Sequence, residues 1–205
     1  MKTHPEDSKI TILTGEYRQI SLPDTFTELD LGCGKGSFTT ALAEKYPERA
    51  VIAADIMIGR LRKLAKRAER MKLQNITLLR VEAGILVSRF IPQNTIGRLH
   101  ILCPDPWPKA KHKGHRLLSS EFIGKIAMIL RKGGVFHFST DDKNYFASVS
   151  TLIEKSGLFE ESNLSLIDDI LDIKTDFEKL WESEGKKVEH AAWRVKNCIE
   201  PEKGE

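Results

Sequence analysis

The strongest constraint on this chain is a regular alternation, from Thr25 onward, of short apolar runs with helical patterns. Phe26 to Leu31, Ala50 to Ala54, Ile76 to Val81, Leu99 to Cys103 and Val135 to Ser139 read as buried strands. Between them Ser37 to Lys45, Phe122 to Leu130 and Lys143 to Lys155 read as helices. Met57, Leu61, Leu64, Ala65, Ala68 and Met71 fall on one face of a further helix. Such alternation predicts parallel strands, right-handed crossovers and helices on both faces of a doubly wound α/β sheet. Gly133-Gly134 is read as the stop of the helix that reaches Leu130, and Gly157 as the end of the next. Val188 to Val195 alternates imperfectly and is expected to close the sheet as an antiparallel strand. Without a repeat, linker or low-complexity tract, residues 1–205 are expected to form a single domain, with 1–24 a short extension before the first strand.

Bulk properties narrow the class. The chain is 40% hydrophobic and 30% charged, an ordinary globular composition, and no apolar run is long enough to cross a bilayer. The first residues, Met1 to Ser8, lack the apolar core of a signal peptide, so cytoplasmic residence and no membrane partner are expected. Cys33, Cys103 and Cys198 show no paired spacing and read as reduced thiols. Net charge is only +3, but its distribution is uneven. Arg60, Arg62, Lys63, Lys66, Arg67, Arg70 and Lys72 stand against one acid, Glu69, and fit either an RNA-facing surface or a solvated helix face. A second basic cluster, Lys109, Lys111, Lys113 and Arg116, is interleaved with His112 and His115.

Leu29-Asp30-Leu31-Gly32-Cys33-Gly34-Lys35-Gly36 falls where the first strand hands over to the first helix. Ligands of such sheets bind beyond the carboxyl ends of the strands. Glycines here stand at the first, third and fifth positions, whereas a dinucleotide fingerprint needs the sixth, which is Ser37. Asp30, two residues before the first glycine, suits a cationic amino-acid ligand and would repel a pyrophosphate. Asp55 ends the second strand, where a carboxylate accepts ribose hydroxyls, and Glu82 ends the third, where it would border an adenine. Acids at three successive strand ends favour S-adenosylmethionine over NAD; the competing reading is a tight structural turn with solvated acids.

Cys103-Pro104-Asp105-Pro106-Trp107-Pro108-Lys109 directly follows the fourth strand. Its three prolines stiffen the loop, and Trp107 either stacks on a base or packs the loop. This stretch resembles the tRNA (guanine-N7-)-methyltransferase family, whose hallmark is a Pro-Asp-Pro-Trp loop followed by basic residues. The likeness extends to the glycine-rich turn, to Ser139-Thr140-Asp141 after the fifth strand and to Thr175-Asp176-Phe177-Glu178 near the end.

The resemblance implies a Rossmann-like class I S-adenosylmethionine methyltransferase, with a mostly parallel seven-stranded sheet and an antiparallel closing strand. Asp30, Gly32, Gly34, Gly36, Asp55, Glu82 and Asp105 would hold S-adenosylmethionine, Asp105 lying between cofactor and base as the catalytic residue. Lys109, Asp141, Thr175, Asp176, Phe177 and Glu178 would contact the substrate. Lys111, His112, Lys113, Gly114, His115 and Arg116 match the family's RNA-contact stretch. The implied substrate is a guanine in the variable loop of tRNA, methylated at N7 by a monomer or homodimer needing no obligate protein partner. The chain departs from the pattern at Glu82, where the family more often has Asp. It departs again at Gly114 and His115, inside a usually more basic stretch, and at Leu180, where a basic residue is usual.

Guanine N7 carries a lone pair and no proton, so such a transfer needs alignment and charge stabilisation but no general base. A Cys103 nucleophile is disfavoured, because cytosine-C5 methyltransferases use the order Pro-Cys. No metal is expected from His112 and His115, which no further Cys or His cluster supports. His137 and His190 read as satisfied core or edge residues. The alternatives are an exocyclic amino-methyltransferase, whose Pro-Pro-aromatic loop is broken here, and a non-catalytic RNA-binding module, which would not need the acids. A small-molecule methyltransferase would not need the basic loop.

Overall fold

The structure is a computed structural model that describes residues 4–13, 18–105 and 117–196. The strands are β1 (Ile10–Ile12), β2 (Thr27–Leu31), β3 (Ala50–Asp55), β4 (Ile76–Arg80), β5 (Ile96–Leu102), β6 (Leu130–Thr140) and β7 (Glu189–Arg194). The helices are α1 (Ser37–Lys45), α2 (Ile58–Arg70), the short α3 (Ala83–Ile85), α4 (Ser120–Ile129), α5 (Lys143–Ser156) and α6 (Asp176–Ser183). The strands make one sheet in the order β1-β4-β3-β2-β5-β6-β7. Every pair is parallel except β6–β7, so the mostly parallel seven-stranded sheet and its antiparallel closing strand are as the sequence implied. From β2 the chain winds outward through β3 to β4, then returns to β5 on the other side of β2. The carboxyl ends of β2 and β5 therefore flank the switch point where such sheets bind ligands.

Two elements differ from the sequence reading. The extension before the first strand supplies β1, which pairs with β4 from Ile10↔Leu78 to Ile12↔Arg80. Three residues carry too little pattern to announce a strand; its neighbour defines it. The second difference is at Gly133-Gly134. Helix α4 already ends at Ile129, and Leu130 turns extended, at φ −69° and ψ 132°. While β5 advances from Ile96 to Arg98, β6 advances from Leu130 to Val135, looping out between. Gly133 takes φ +71° in that bulge, and a Cβ on Gly134 would fall 2.8 Å from the Arg131 carbonyl oxygen. These glycines shape a strand irregularity, not a helix stop.

Period-two alternation divides the sheet into two unlike faces. Leu29, Leu99, Ile101, Phe136, Phe138 and Trp193 point to one side and pack with Phe122, Ile123 and Ile126 of α4 and Val149 and Ile153 of α5. Their neighbours Glu28, Asp30, Arg98, His100 and His137 point to the other and are just as buried. Around that polar row, Phe38 and Leu42 of α1 with Ile167 and Ile170 form one apolar patch, and Leu61, Leu64 and Ala65 of α2 another.

Helix α2 settles part of the question its charges raised. Arg62 holds Asp7 through two hydrogen bonds, at 2.7 and 2.9 Å. Lys66 reaches Glu6 at 3.3 Å, Arg60 reaches Asp55 at 3.4 Å and Arg67 reaches Asp176 at 4.0 Å. Four of the seven cations thus tie down the amino-terminal turn, the end of β3 and the start of α6. Among the described residues no helix is long and apolar enough to cross a membrane.

Candidate active site

The glycine-rich turn is pinned from below and behind. The Gly32 and Cys33 amides donate to the Ala54 carbonyl at 2.8 and 3.1 Å, which locks the end of β2 to the end of β3. Gly32, Gly34 and Gly36 all have positive φ, at 84°, 58° and 78°. A Cβ on Gly36 would lie 2.3 Å from the Leu64 side chain, so a glycine there lets α2 pack on the turn. At Gly32 and Gly34 a Cβ would meet nothing within 4 Å, so those two glycines leave the concave side of the turn open.

The acids at the strand ends have three distinct environments. Asp30 is 3% exposed, and one of its oxygens accepts the Thr39 hydroxyl at 2.5 Å. Among the described residues no cation pairs with it. Burial, reinforced by the nearby Asp55 charge and opposed by the Thr39 hydrogen bond, pushes its carboxyl up to about 7. Asp55 is buried and organised: it accepts the Met57 amide at 2.7 Å and the Gly34 amide at 3.1 Å, with Arg60 beyond. Glu82 is exposed and caps α3, accepting the Gly84 and Ile85 amides at 2.9 Å each. Burial and the negative fields of Asp30 and Asp55 drive the Cys33 thiol well above its ordinary range. Open space beside a buried acid with no cation partner among the described residues can accommodate a cation.

A second group forms where β5 and β6 end. Cys103 leaves the strand with φ +48°, a left-handed conformation costing a non-glycine residue roughly 1–2 kcal/mol. Its amide donates to the Ser139 carbonyl at 2.9 Å, which fixes this corner against β6 and presents Pro104 and the exposed Asp105 beyond it. The thiol lies 3.7 Å from the Ser139 hydroxyl. Burial, with the carboxylates of Glu178 and Asp141 adding to it, pushes that thiol up to about 11, so it is no nucleophile near neutral pH.

Thr175 to Glu178 opens α6. Thr175 and Glu178 make a reciprocal capping box, the hydroxyl accepting the Glu178 amide at 3.0 Å and the carboxylate accepting the Thr175 amide at 3.3 Å. Asp176 and Phe177 are exposed, whereas Glu178 is 4% exposed and meets His190 at 2.9 Å. Asp141 is exposed beside Asp142, which caps α5 through the Tyr145 amide. The fold thus gathers Asp30, the glycine turn and Asp55 at one end of the sheet's carboxyl edge. It gathers Cys103, Asp141, Thr175 and Glu178 around β5 and β6 at the same edge. Lys109 and the stretch Lys111 to Arg116 lie outside the described residues.

Sequence reasoning missed the buried polar row of Glu28, Arg98 and His100. Arg98 donates to Glu28 at 2.9 and 3.0 Å and to Asp169 at 2.8 and 3.0 Å. Burial alone would raise the Glu28 carboxyl, but hydrogen bonds and charge from His100 and Arg98 outweigh it and hold the group at about 2. The signal was there as Glu-Leu-Asp-Leu, Arg-Leu-His-Ile and His-Phe-Ser, polar at every second residue.

Known proteins resemble this chain in sequence and in fold. Residues 24–191 match the methyltransferase family Methyltransf_4. A tRNA (guanine-N(7)-)-methyltransferase of Marinobacter nauticus is 31% identical over 180 residues, covering 86% of this chain and 74% of that protein. One of Thermotoga maritima is 30% identical over 164 residues, 78% of this chain and 51% of that protein. The chain spans about half the length of several curated relatives it matches. In fold it is similar to the 16S rRNA methyltransferase KamB, with a TM-score of 0.61, 18% identity, and coverage of 84% of this chain and 88% of that one. On the match over residues 24–191 and the extent of these likenesses, the chain belongs to the tRNA (guanine-N7-)-methyltransferase family.

Proposed function

We propose that the chain, acting as a single domain, transfers a methyl group from S-adenosylmethionine to N7 of a guanine in tRNA, in the variable loop. The observation that carries this reading is Asp30, a buried carboxyl with no cation partner among the described residues, at the mouth of an open glycine turn. A ligand with an ammonium and a sulfonium supplies what that site lacks. Gly32 and Gly34 leave the space a side chain would fill, Asp55 is preset by two backbone amides, and Glu82 borders the same edge. These residues fit the group.

When bound, S-adenosylmethionine supplies an electrophilic methyl. The protein's task is to align the base and exclude water, which contributes on the order of 7–11 kcal/mol in favourable cases. Guanine N7 has no proton to lose, so Asp105 acts by charge, stabilising the ring as it becomes cationic. Glu178 or Asp141 accepts from the N1 and N2 edge, with Thr175, Asp176 and Phe177 around the base. Lys109, with Lys111 to Arg116, holds RNA phosphate. Cytoplasmic tRNA is the acceptor, and the chain works as a monomer or homodimer without an obligate partner.

The test is methyl transfer from labelled S-adenosylmethionine to unmodified bulk tRNA, with product nucleosides identified by mass spectrometry. Labelled 7-methylguanosine is expected, and Asp105→Ala should abolish most of it in a folded chain. Cofactor binding without any tRNA labelling would overturn the acceptor; full activity in Asp105→Ala would overturn that residue's role.

A further inference from the structure

Three imidazoles cross the polar face of the sheet in single file between two buried carboxyls. Glu28 Oε2 lies 3.0 Å from His100 Nε2, and His100 Nδ1 lies 3.0 Å from His137 Nδ1. His137 Nε2 lies 3.0 Å from His190 Nδ1, and His190 Nε2 lies 2.9 Å from Glu178 Oε1. Strands β5, β6 and β7 carry the rings: His100 and His137 are direct cross-strand partners, and His190, opposite Ser139, meets His137 diagonally. Glu28 and His100 are fully buried, His137 and Glu178 are nearly so, and His190 at the outer end is half-buried.

The links can be counted against the protons. Each of the four contacts needs one hydrogen, and a neutral imidazole brings one, whereas ionised carboxylates bring none. Three neutral rings between two carboxylates therefore leave one contact empty, with two lone pairs facing each other in a buried site. A fourth proton removes that defect.

Resting on the reading that Glu178 lines the base pocket, we propose that His100, His137 and His190 are positioning residues that act through Glu178. They share one proton beyond three neutral rings and relay it between the Glu178 carboxyl and His100. In one arrangement Glu178 carries the proton and donates to His190 Nε2. His190 Nδ1–H then donates to His137 Nε2, His137 Nδ1–H to His100 Nδ1, and His100 Nε2–H to Glu28. In the other, Glu178 is ionised. Its O–H bond breaks as His190 Nε2–H forms, His190 Nδ1–H breaks as His137 Nε2–H forms, and His137 Nδ1–H breaks as His100 Nδ1–H forms. The positive charge rests on His100 beside Glu28. No proton leaves the row, and every contact keeps one hydrogen.

The surroundings rank the two arrangements. Burial, with the neighbouring His100 and His190, drives His137 far below the usual histidine range, which suits a ring that passes a proton without holding it. Burial also lowers His100, against the opposing pull of Glu28. Facing the row are Arg98 and Arg49 at Glu28, Asp169 on Arg98, Asp30 cross-strand from His100, the Phe38 ring at His100 and the Thr175 amide at Glu178. Both buried rings disfavour charge, so the arrangement with three neutral rings prevails when no base is in the pocket. A purine turning cationic in the pocket repels the proton inward along the row and meets an ionised carboxylate.

The test is ring-nitrogen NMR of the full chain with 15N-labelled histidine at neutral pH. In the wild type the His190 proton should sit on Nδ1. In His100→Phe two neutral rings fill the two contacts that remain, so the His190 proton should move to Nε2, although His100 and His190 do not touch. An unchanged His190 tautomer would overturn the relay. Should His100→Phe fail to fold, His137→Phe carries the same expectation and keeps the Glu28–His100 pair. No RNA enters this experiment. A His190 proton that moves in a chain unable to methylate tRNA would keep the relay and remove only the assigned substrate.

Discussion

On one face of the sheet Leu29, Leu99, Phe136 and Trp193 meet apolar neighbours; one residue away along the same strands, Glu28, Arg98, His100 and His137 are equally dry. The apolar face is held by area and close packing and carries α4 and α5. The polar face is held by matched partners: Glu28 with Arg98, Arg49 and His100, and Arg98 with Asp169. Asp30 pairs with no cation among the described residues, and it stands next to the glycine turn. Satisfied polar pairs specify the sheet, and a buried acid with no cation partner among the described residues is where we propose that a ligand binds.

Breaking each face once should cost the same and look different. Phe136→Ala removes a fully buried ring, and about 3–5 kcal/mol of unfolding free energy should be lost at every pH. Arg98→Met leaves Glu28 and Asp169 without their main partner and should cost a similar 3–5 kcal/mol. Much of that loss should be regained in acid, where Glu28 takes up a proton. Urea unfolding followed from pH 3 to 8 separates the two; parallel curves would contradict the division between the faces.

Asp30→Asn sharpens the contrast in the opposite direction. The folded carboxyl is raised to about 7 from an ordinary 3.8, so the empty fold loses stability as pH rises from 3.8 to 7. The isosteric amide removes that loss and should stabilise the ligand-free chain at pH 8 by up to about 4 kcal/mol, with little effect at pH 3. A thermal melt that does not rise at pH 8 would show that Asp30 is not strained by its burial.

Glu28 has the reverse sign. Its folded value, about 2, lies below the ordinary 4.5, so its contribution is complete above pH 4.5 and is lost as pH falls towards 2. That contribution is on the order of 3 kcal/mol, readable as an acid limb in unfolding free energy that Glu28→Gln should flatten.

The chain's alternation announced β2 to β7 and the switch point, because strands of this length and helices with one apolar stripe leave a pattern in sequence. It did not announce β1, whose three residues are a strand only through β4, or the role of Gly133-Gly134, which depends on the step between β5 and β6. The acids Asp30, Asp55 and Glu82 could be picked out because each lies within two residues of a strand's carboxyl end. The histidine row was not: His100, His137 and His190 look like isolated core residues until cross-strand register lines them up. The charges of α2 misled in part, since their partners Asp7, Glu6 and Asp176 come from distant segments. Thr175 and Glu178, picked out for the pocket, also cap α6, a role their spacing states on its own.

That the carboxyl end of β2 is built for a cation is tested most directly by calorimetric titration of S-adenosylmethionine into the full chain between pH 5.5 and 8.5. Asp30 ionises near 7 in the empty fold, so affinity should rise as pH increases through that value, with proton release on binding below it. Asp30→Asn should bind weakly and without this pH dependence. Wild-type affinity that stays flat across the range, or an Asp30→Asn chain that binds as tightly, would contradict the assignment.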